Sequence, residues 1–188
     1  MNQSIRCIKF LIIILFVING ANSFGQYHKG LVINNNGDSI NCEIFLPKYL
    51  NGQFNYSTLT KRITALMKDG GIQVFKPEDI VKAEIQVEGS EKLRFVSIPE
   101  DKKQFFQERV NGKLSLFTLH FTNSGFPAPI LRKNSKLTYL NVVNKKKRVT
   151  ELIADFPELY SEWQSEKYDF NNLDKVVELY NRNLGLKN

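Results

Sequence analysis

Between Gly30 and about Val143 the chain alternates apolar and polar residues with a period of two, and after Asn144 the spacing becomes helical. The clearest stretch is VKAEIQVE, where Val81, Ala83, Ile85 and Val87 alternate with Lys82, Glu84, Gln86 and Glu88. This predicts a half-buried strand, because successive side chains of an extended backbone point to opposite faces. Turn residues divide the region. Asn36-Gly37, Asp69-Gly70-Gly71 and Asn111-Gly112 each stand between two strand-like runs and predict hairpins, with a shorter pair around Asn134-Ser135. Pro77-Glu78-Asp79 and Gly89-Ser90 read as corners. About nine or ten strands joined in this way predict an antiparallel meander, either curled or folded into two layers.

The hairpin FFQERVNGKLSLFTLHF tests that picture. A two-residue loop at Asn111-Gly112 would set Phe106 opposite Phe117, and large apolar residues would then stand on both faces. A bulged loop would shift this register, and both remain open at this point. Further on, Val149, Leu152, Ile153 and Phe156 fall at i, i+3, i+4 and i+7, the stripe of a helix packed on something. Pro157 ends that helix or begins a short turn through Leu159, Tyr160 and Trp163. In NNLDKVVELYNRNLG, Leu173, Val176, Val177 and Tyr180 form a second stripe, with Asn172 as its N-cap and Gly185 as its stop. Strands first and helices last predict an α+β fold whose C-terminal helices pack on the sheet. One domain is expected over residues 26–188, β-rich to 143 and helical from 144.

The first 25 residues stand apart. Arg6 and Lys9 precede the unbroken apolar run Phe10–Ile18, and small residues follow. That run is shorter than the roughly 20 residues of a spanning helix, and its layout is that of a secretory signal peptide. Ser23 and Gly25 suit a cut before Gln26, and Ala21 and Ser23 suit one before Phe24. Export places the protein in the periplasm or outside the cell, with no membrane span after processing. Removing 25 of the 188 residues leaves 163, with 24 Lys+Arg against 19 Asp+Glu. This modest excess of positive charge, outside the cytosol, points to anionic surfaces rather than nucleic acid. Cys42 is then the only cysteine, so no internal disulfide forms. It alternates with Ile40 and Ile44 in SINCEIF and reads as a buried, inert thiol.

Three stretches carry a resemblance. HKGLVINNNGDSINCEI, FFQERVNGKLSLF and VTELIADFPEL resemble the opening hairpin, central strand pair and late helix of a group of uncharacterised secreted proteins typical of Bacteroidota. The resemblance implies a β-rich exported protein and transfers no catalytic residue. Where that group often has Cys, this chain has Phe156.

Few residues offer chemistry. His28 and His120 are 92 positions apart and no C-x-x-C or H-x-x-x-H spacing occurs, so no metal site and no cofactor is expected. NNNGDS has the outline of a calcium loop without its acidic ligands and reads as a turn. No G-x-S-x-G motif occurs. Glu84 and Glu88 on one strand face would stand about 13 Å apart, too far for a glycosidase pair. The candidates are instead surface features. Lys145, Lys146, Lys147 and Arg148 open the first helix against its dipole, which suits docking on an anionic surface or a solvated helix start. Phe126, in the loop TNSGFPAPI, reads as a binding residue or, more plainly, as a core plug. Asp38-Ser39-Ile40 matches the short O-glycosylation signature of Bacteroidota, with Ser39 as acceptor.

These readings converge on a non-enzymatic envelope or secreted module that binds a protein or glycan of the cell envelope. The alternative is a hydrolase acting on an envelope or extracellular polymer. If the apolar run is a signal, mass analysis of exported protein will find a chain starting at Gln26 or Phe24; full-length protein held in the membrane would refute it.

Overall fold

The computed structural model describes residues 25–89, 92–121 and 126–185, with side chains to Asn183. The proposed signal lies outside these residues. Ten strands form one open antiparallel sheet: β1 Gly25–Asn34, β2 Ser39–Pro47, β3 Ile63–Leu66, β4 Ile72–Phe75, β5 Ile80–Ile85, β6 Leu93–Ile98, β7 Asp101–Val110, β8 Leu114–Leu119, β9 Ala128–Lys133 and β10 Lys136–Tyr139. Three helices follow, α1 Lys145–Ile153, α2 Pro157–Gln164 and α3 Leu173–Gly185. No helix among the described residues is long and apolar enough to cross a membrane.

The strand order is β10-β9-β8-β7-β6-β5-β1-β2-β3-β4. β5 therefore pairs with β1, although in sequence it follows β4. In a flat sheet β4 and β5 would lie about 19 Å apart, four strand spacings of about 4.8 Å. Yet a tight turn joins them, with the Asp79 N–H donating to the Lys76 carbonyl at 3.0 Å. The first five strands must curl round until their ends almost meet. Val32, Ile44, Leu46, Ile63, Ala65, Ile80, Ile85 and Phe95 fill that curl. Leu59, from a 3₁₀ turn over Tyr56–Thr60, plugs it. Cys42 joins the same core, and burial raises its thiol pKa, as expected of a buried, unreactive cysteine.

The expected hairpin around Asn111-Gly112 takes the bulged alternative. Glu108 pairs with Phe117 and Val110 with Leu116, the register shifting between them. β8 is covered on both sides as a result. Leu114 and Leu116 face the helices, packed with Val149, Ile153, Trp163, Val176, Val177 and Tyr180. Phe117 and Leu119 face the other way, with Val96, Ile98, Phe106 and Ile130. The sheet curls over that second cluster: Arg132 of β9 reaches Glu100, and Tyr139 of β10 bonds Asp101 at the start of β7.

Side-chain polar bonds fix the helices on the sheet. Asn181 of α3 donates to the Leu114 carbonyl at 2.8 Å and accepts from the Leu114 N–H at 3.0 Å, taking the place of a neighbouring strand. Lys133 of β9 donates to the Leu152 carbonyl at 2.7 Å and to Asp155 at 2.8 Å. Tyr180 of α3 donates to the same Asp155 oxygen at 2.7 Å.

One expectation needs correction. Val81 is 45% exposed, because a bulge opposite Ile33/Asn34 sets Ile80, rather than Val81, into the core phase. Asn172 immediately precedes the last helix, at the end of a 3₁₀ turn over Phe170–Asn172 whose cap is Asp169, which accepts from the N–H groups of Asn171 and Asn172. The apolar stripes otherwise hold, with Leu152 half-buried and Tyr160 exposed.

A Cβ at Gly112 would lie 2.4 Å from the Asn181 side-chain amide. Gly112→Ala should therefore push Asn181 off Leu114 and cost about 1–3 kcal/mol, the usual price of unpaired buried polar groups. In urea denaturation, Gly112→Ala combined with Asn181→Ala should cost less than the sum of the single changes; strict additivity would show the two sites to be independent.

Candidate functional site

The segment between β10 and α1 is built by asparagines. Asn141 Oδ1 accepts from the N–H groups of Val143 and Asn144, and Asn144 Oδ1 accepts from the Asn141 N–H. This clasp turns the chain so that Val142 and Val143 point outward, 86% and 96% exposed. Across from them stands Phe126, 84% exposed, at the end of the β8–β9 loop. Phe126 and Val142 border a cleft of about 540 Å³ whose floor is Leu116, Leu140 and Leu173, all buried; Val143 stands outside its lining.

The charged groups at this cleft have near partners. Arg109 bonds Asp174 at 2.5 Å. The Lys145 ammonium sits 4.1 Å from the centre of the Phe170 ring, a cation–π contact. The site is thus apolar at its floor and rim, with two cations and one carboxylate at its wall.

Of the residues singled out from sequence, Phe126 and Lys145 meet here. The core-plug reading of Phe126 is corrected by its 84% exposure. The rest of the basic run disperses. Lys146 pairs with Glu166 at 2.6 Å, Arg148 with Glu151 at 3.2 Å, and Lys147 is exposed. Ser39 lies far off in sequence and sheet order, exposed at the start of β2. Beside it Asp38 is tied to Asn34, whose amide donates to the Asp38 carboxylate at 2.9 Å. Glu84 and Glu88 form no pair: Glu84 is held by Lys82, Lys92 and Arg94, and its hydrogen bond to Lys92 leads in lowering its pKa.

A second, smaller hollow of about 160 Å³ lies on the other side of Pro127, lined by Tyr49, Phe54, Tyr56, Ser57, His120 and Phe121. His120 shares a 2.7 Å hydrogen bond with Gln107 and lies 5.2 Å from the Tyr56 ring. Burial, aided by the positive charge of Arg109, lowers its pKa to about 4. Ser57 Oγ is engaged elsewhere, donating to Asn55 at 2.6 Å. His28 of β1 is buried with its Nε2 unpaired among the described residues and edge-on to Phe54. Burial lowers its pKa as well. Among the described residues no three His, Cys, Asp or Glu side chains cluster as metal ligands.

Sequence reasoning missed Val142 and Val143 because NVVN continues the strand-like pattern. The available signal was the pair of flanking asparagines, which clasp loops by bonding their own backbone. No family model matches the chain, and no curated protein or solved structure is significantly similar to it.

The histidines generate a pH prediction. Both have folded pKa values below the ordinary 6.5, so the unfolded chain takes up protons first as pH falls. Stability should be full above about 6.5 and decline from there toward about 4. The urea midpoint should accordingly drop between pH 7.5 and 5, and His120→Gln should reduce that drop. Equal midpoints at the two pH values would contradict it.

Proposed function

We propose that this protein is an exported, non-enzymatic module of the cell envelope or secreted fraction, which binds a partner protein through the cleft beside Val142 and Val143. One observation carries the reading: Val142, 86% exposed, borders a concave site whose floor is the buried Leu116, Leu140 and Leu173. Exposed apolar side chains that ring a concave site mark a place where something else completes the packing. The aliphatic floor suits an apolar side chain better than sugar hydroxyls, so a protein segment is favoured over an envelope glycan. The export half of the proposal rests on residues 1–25, with their positive front and short apolar core.

The wall groups would set orientation. Arg109 and Asp174, each about half exposed, can open their mutual contact toward a partner's polar backbone at little cost, since exposed ion pairs contribute about 0–1 kcal/mol. Affinity would come from the apolar anchor and specificity from this pair.

Photo-crosslinking from position 142 in living cells, followed by titration with the purified partner so captured, tests the proposal. Val142→Asp should weaken that binding by tenfold or more without shifting the unfolding midpoint, because the side chain is solvent-facing. Undiminished binding by Val142→Asp would remove the cleft from the function. Polymer cleavage abolished by His120→Gln would replace this reading with a hydrolase.

A further inference from the structure

The segment that plugs the curl is bonded chiefly to itself. Among the described residues, every hydrogen bond made from Tyr49 to Lys61 stays within residues 47–62. The Tyr49 N–H donates to the Gln53 carbonyl and the Asn55 N–H to the Pro47 carbonyl, both at 2.7 Å. The buried hydroxyls of Ser57 and Thr60 donate to Asn55 Oδ1 and to the Ser57 carbonyl, so neither reaches the sheet. At the base of the segment Lys48 donates to Gln26 of β1 at 3.2 Å.

Side-chain contact therefore holds the segment down. Leu59 is 2% exposed within the curl. Phe54 stands 5.7 Å from the His28 ring and edge-on to it. Tyr56 lies 5.2 Å from His120 and 6.2 Å from Phe95. Two of the three rings beneath the segment are thus histidines, one on β1 and one just past β8. The hollow of about 160 Å³ separates Tyr49, Phe54, Tyr56 and Ser57 from Phe121 and Pro127, which leaves room on that flank.

A proton on either histidine would be poorly received. His28 is 8% exposed, and its Nε2 is unpaired among the described residues. The charged groups that act on it are Lys48 and Glu88, and the one that acts on His120 is Arg109 of β7. Lys48 and Arg109 repel a further positive charge, against the single carboxylate of Glu88. Gln107, which bonds His120, is neutral.

We propose that residues 48–61 are an acid-released lid: when His28 and His120 take up protons, the segment lifts as one bonded unit about Pro47 and Arg62, withdraws Leu59 and uncovers the apolar interior of the curl. Its hydrogen bonds travel with it, so the opening gives up side-chain packing alone and lies below global unfolding, as local openings of native proteins do. Acid favours the open form because release returns each histidine to water. Burial holds His120 at about 4 in the closed form, against an ordinary 6.5. At pH 5 that difference alone favours opening by roughly thirtyfold over neutral pH. Burial lowers His28 in the same direction and adds to the effect.

Hydroxyl-radical footprinting of the purified protein at pH 7.5 and pH 5 tests the lid, because it reads side-chain exposure directly. Oxidation of Tyr56 and Leu59 should rise several-fold at the lower pH, while Phe117 and Tyr180, buried in the other two cores, stay protected. His28→Phe combined with His120→Gln leaves neither site a proton to take up and should abolish the rise. If that double variant does not fold, NMR titration of the two imidazoles in the unaltered protein takes its place, and their midpoints should coincide with that of the footprint. Exposure of Phe117 and Tyr180 together with Leu59 would mean global unfolding and overturn the lid. No rise at Leu59, a rise that survives the double variant, or one at a pH where the imidazoles do not titrate would overturn it equally.

Discussion

β8 is buried on both faces, and most of the architecture follows from that. Leu114 and Leu116 point one way, Phe117 and Leu119 the other, each no more than 3% exposed. Burial of such side chains stabilises by about 1.5–3 kcal/mol each, so neither set can be left wet. One sheet cannot cover both of its own faces by pairing alone. The chain meets the demand twice: three helices lie over Leu114 and Leu116, and the sheet curls over Phe117 and Leu119. The bulge between Glu108 and Val110 belongs to the same solution, because it brings Val110 opposite Leu116 on the helix side.

Apolar packing holds helix and sheet together, and polar groups choose the register. Helices of this length are marginal alone, so contact with the sheet supplies their stability. Such contact is tolerant of sliding. Asn181 on Leu114, and Lys133 between Leu152 and Asp155, are not, since displacement by one residue would leave backbone groups unpaired. Asp155 keeps its charge here: although burial opposes ionisation, hydrogen bonds from Lys133 and Tyr180 more than offset it and lower its pKa. At the other end the curled strands β1–β5 are joined to this half by a row of rings. His28, Phe54, Tyr56 and His120 follow one another at centroid distances of 5.2–6.1 Å.

The parts legible in sequence were those governed by local rules. Alternation located the strands, Asn-Gly and Asp-Gly-Gly located the turns, and the 3.6-residue stripes located the helices. Asn134 and Ser135, with φ of 50° and 59°, show how directly a turn can be read, for both adopt the left-handed backbone that a tight hairpin demands. What was not legible depended on distant partners. The bulge that exposes Val81 arises opposite Ile33 and Asn34, nearly fifty positions earlier in the chain. The pairing of β5 with β1 needs the curl, which no local signal carries. Phe126 illustrates the limit for sites: its sequence neighbours suggest a plug, while only the placement of β8 and β9 leaves it outside.

The cleft follows from how the inner face is covered. That face runs without a break from β1 to β10, but it has two separate lids, the 3₁₀ plug over the curl and the helices over β8 and β9. Two lids leave a seam, and the hollows on either side of Pro127 lie along it. The floor residues Leu116, Leu140 and Leu173 belong to the helix-side core, so the cleft is that core's uncovered rim. Folding Val142 inward would cover part of it, a gain of roughly 1–2 kcal/mol. The asparagine clasp prevents this by using Asn141 to bond the backbone of Val143 and Asn144. Local hydrogen bonding is thus spent on keeping apolar surface open. On the proposed reading, a partner segment would supply the packing that this rim lacks.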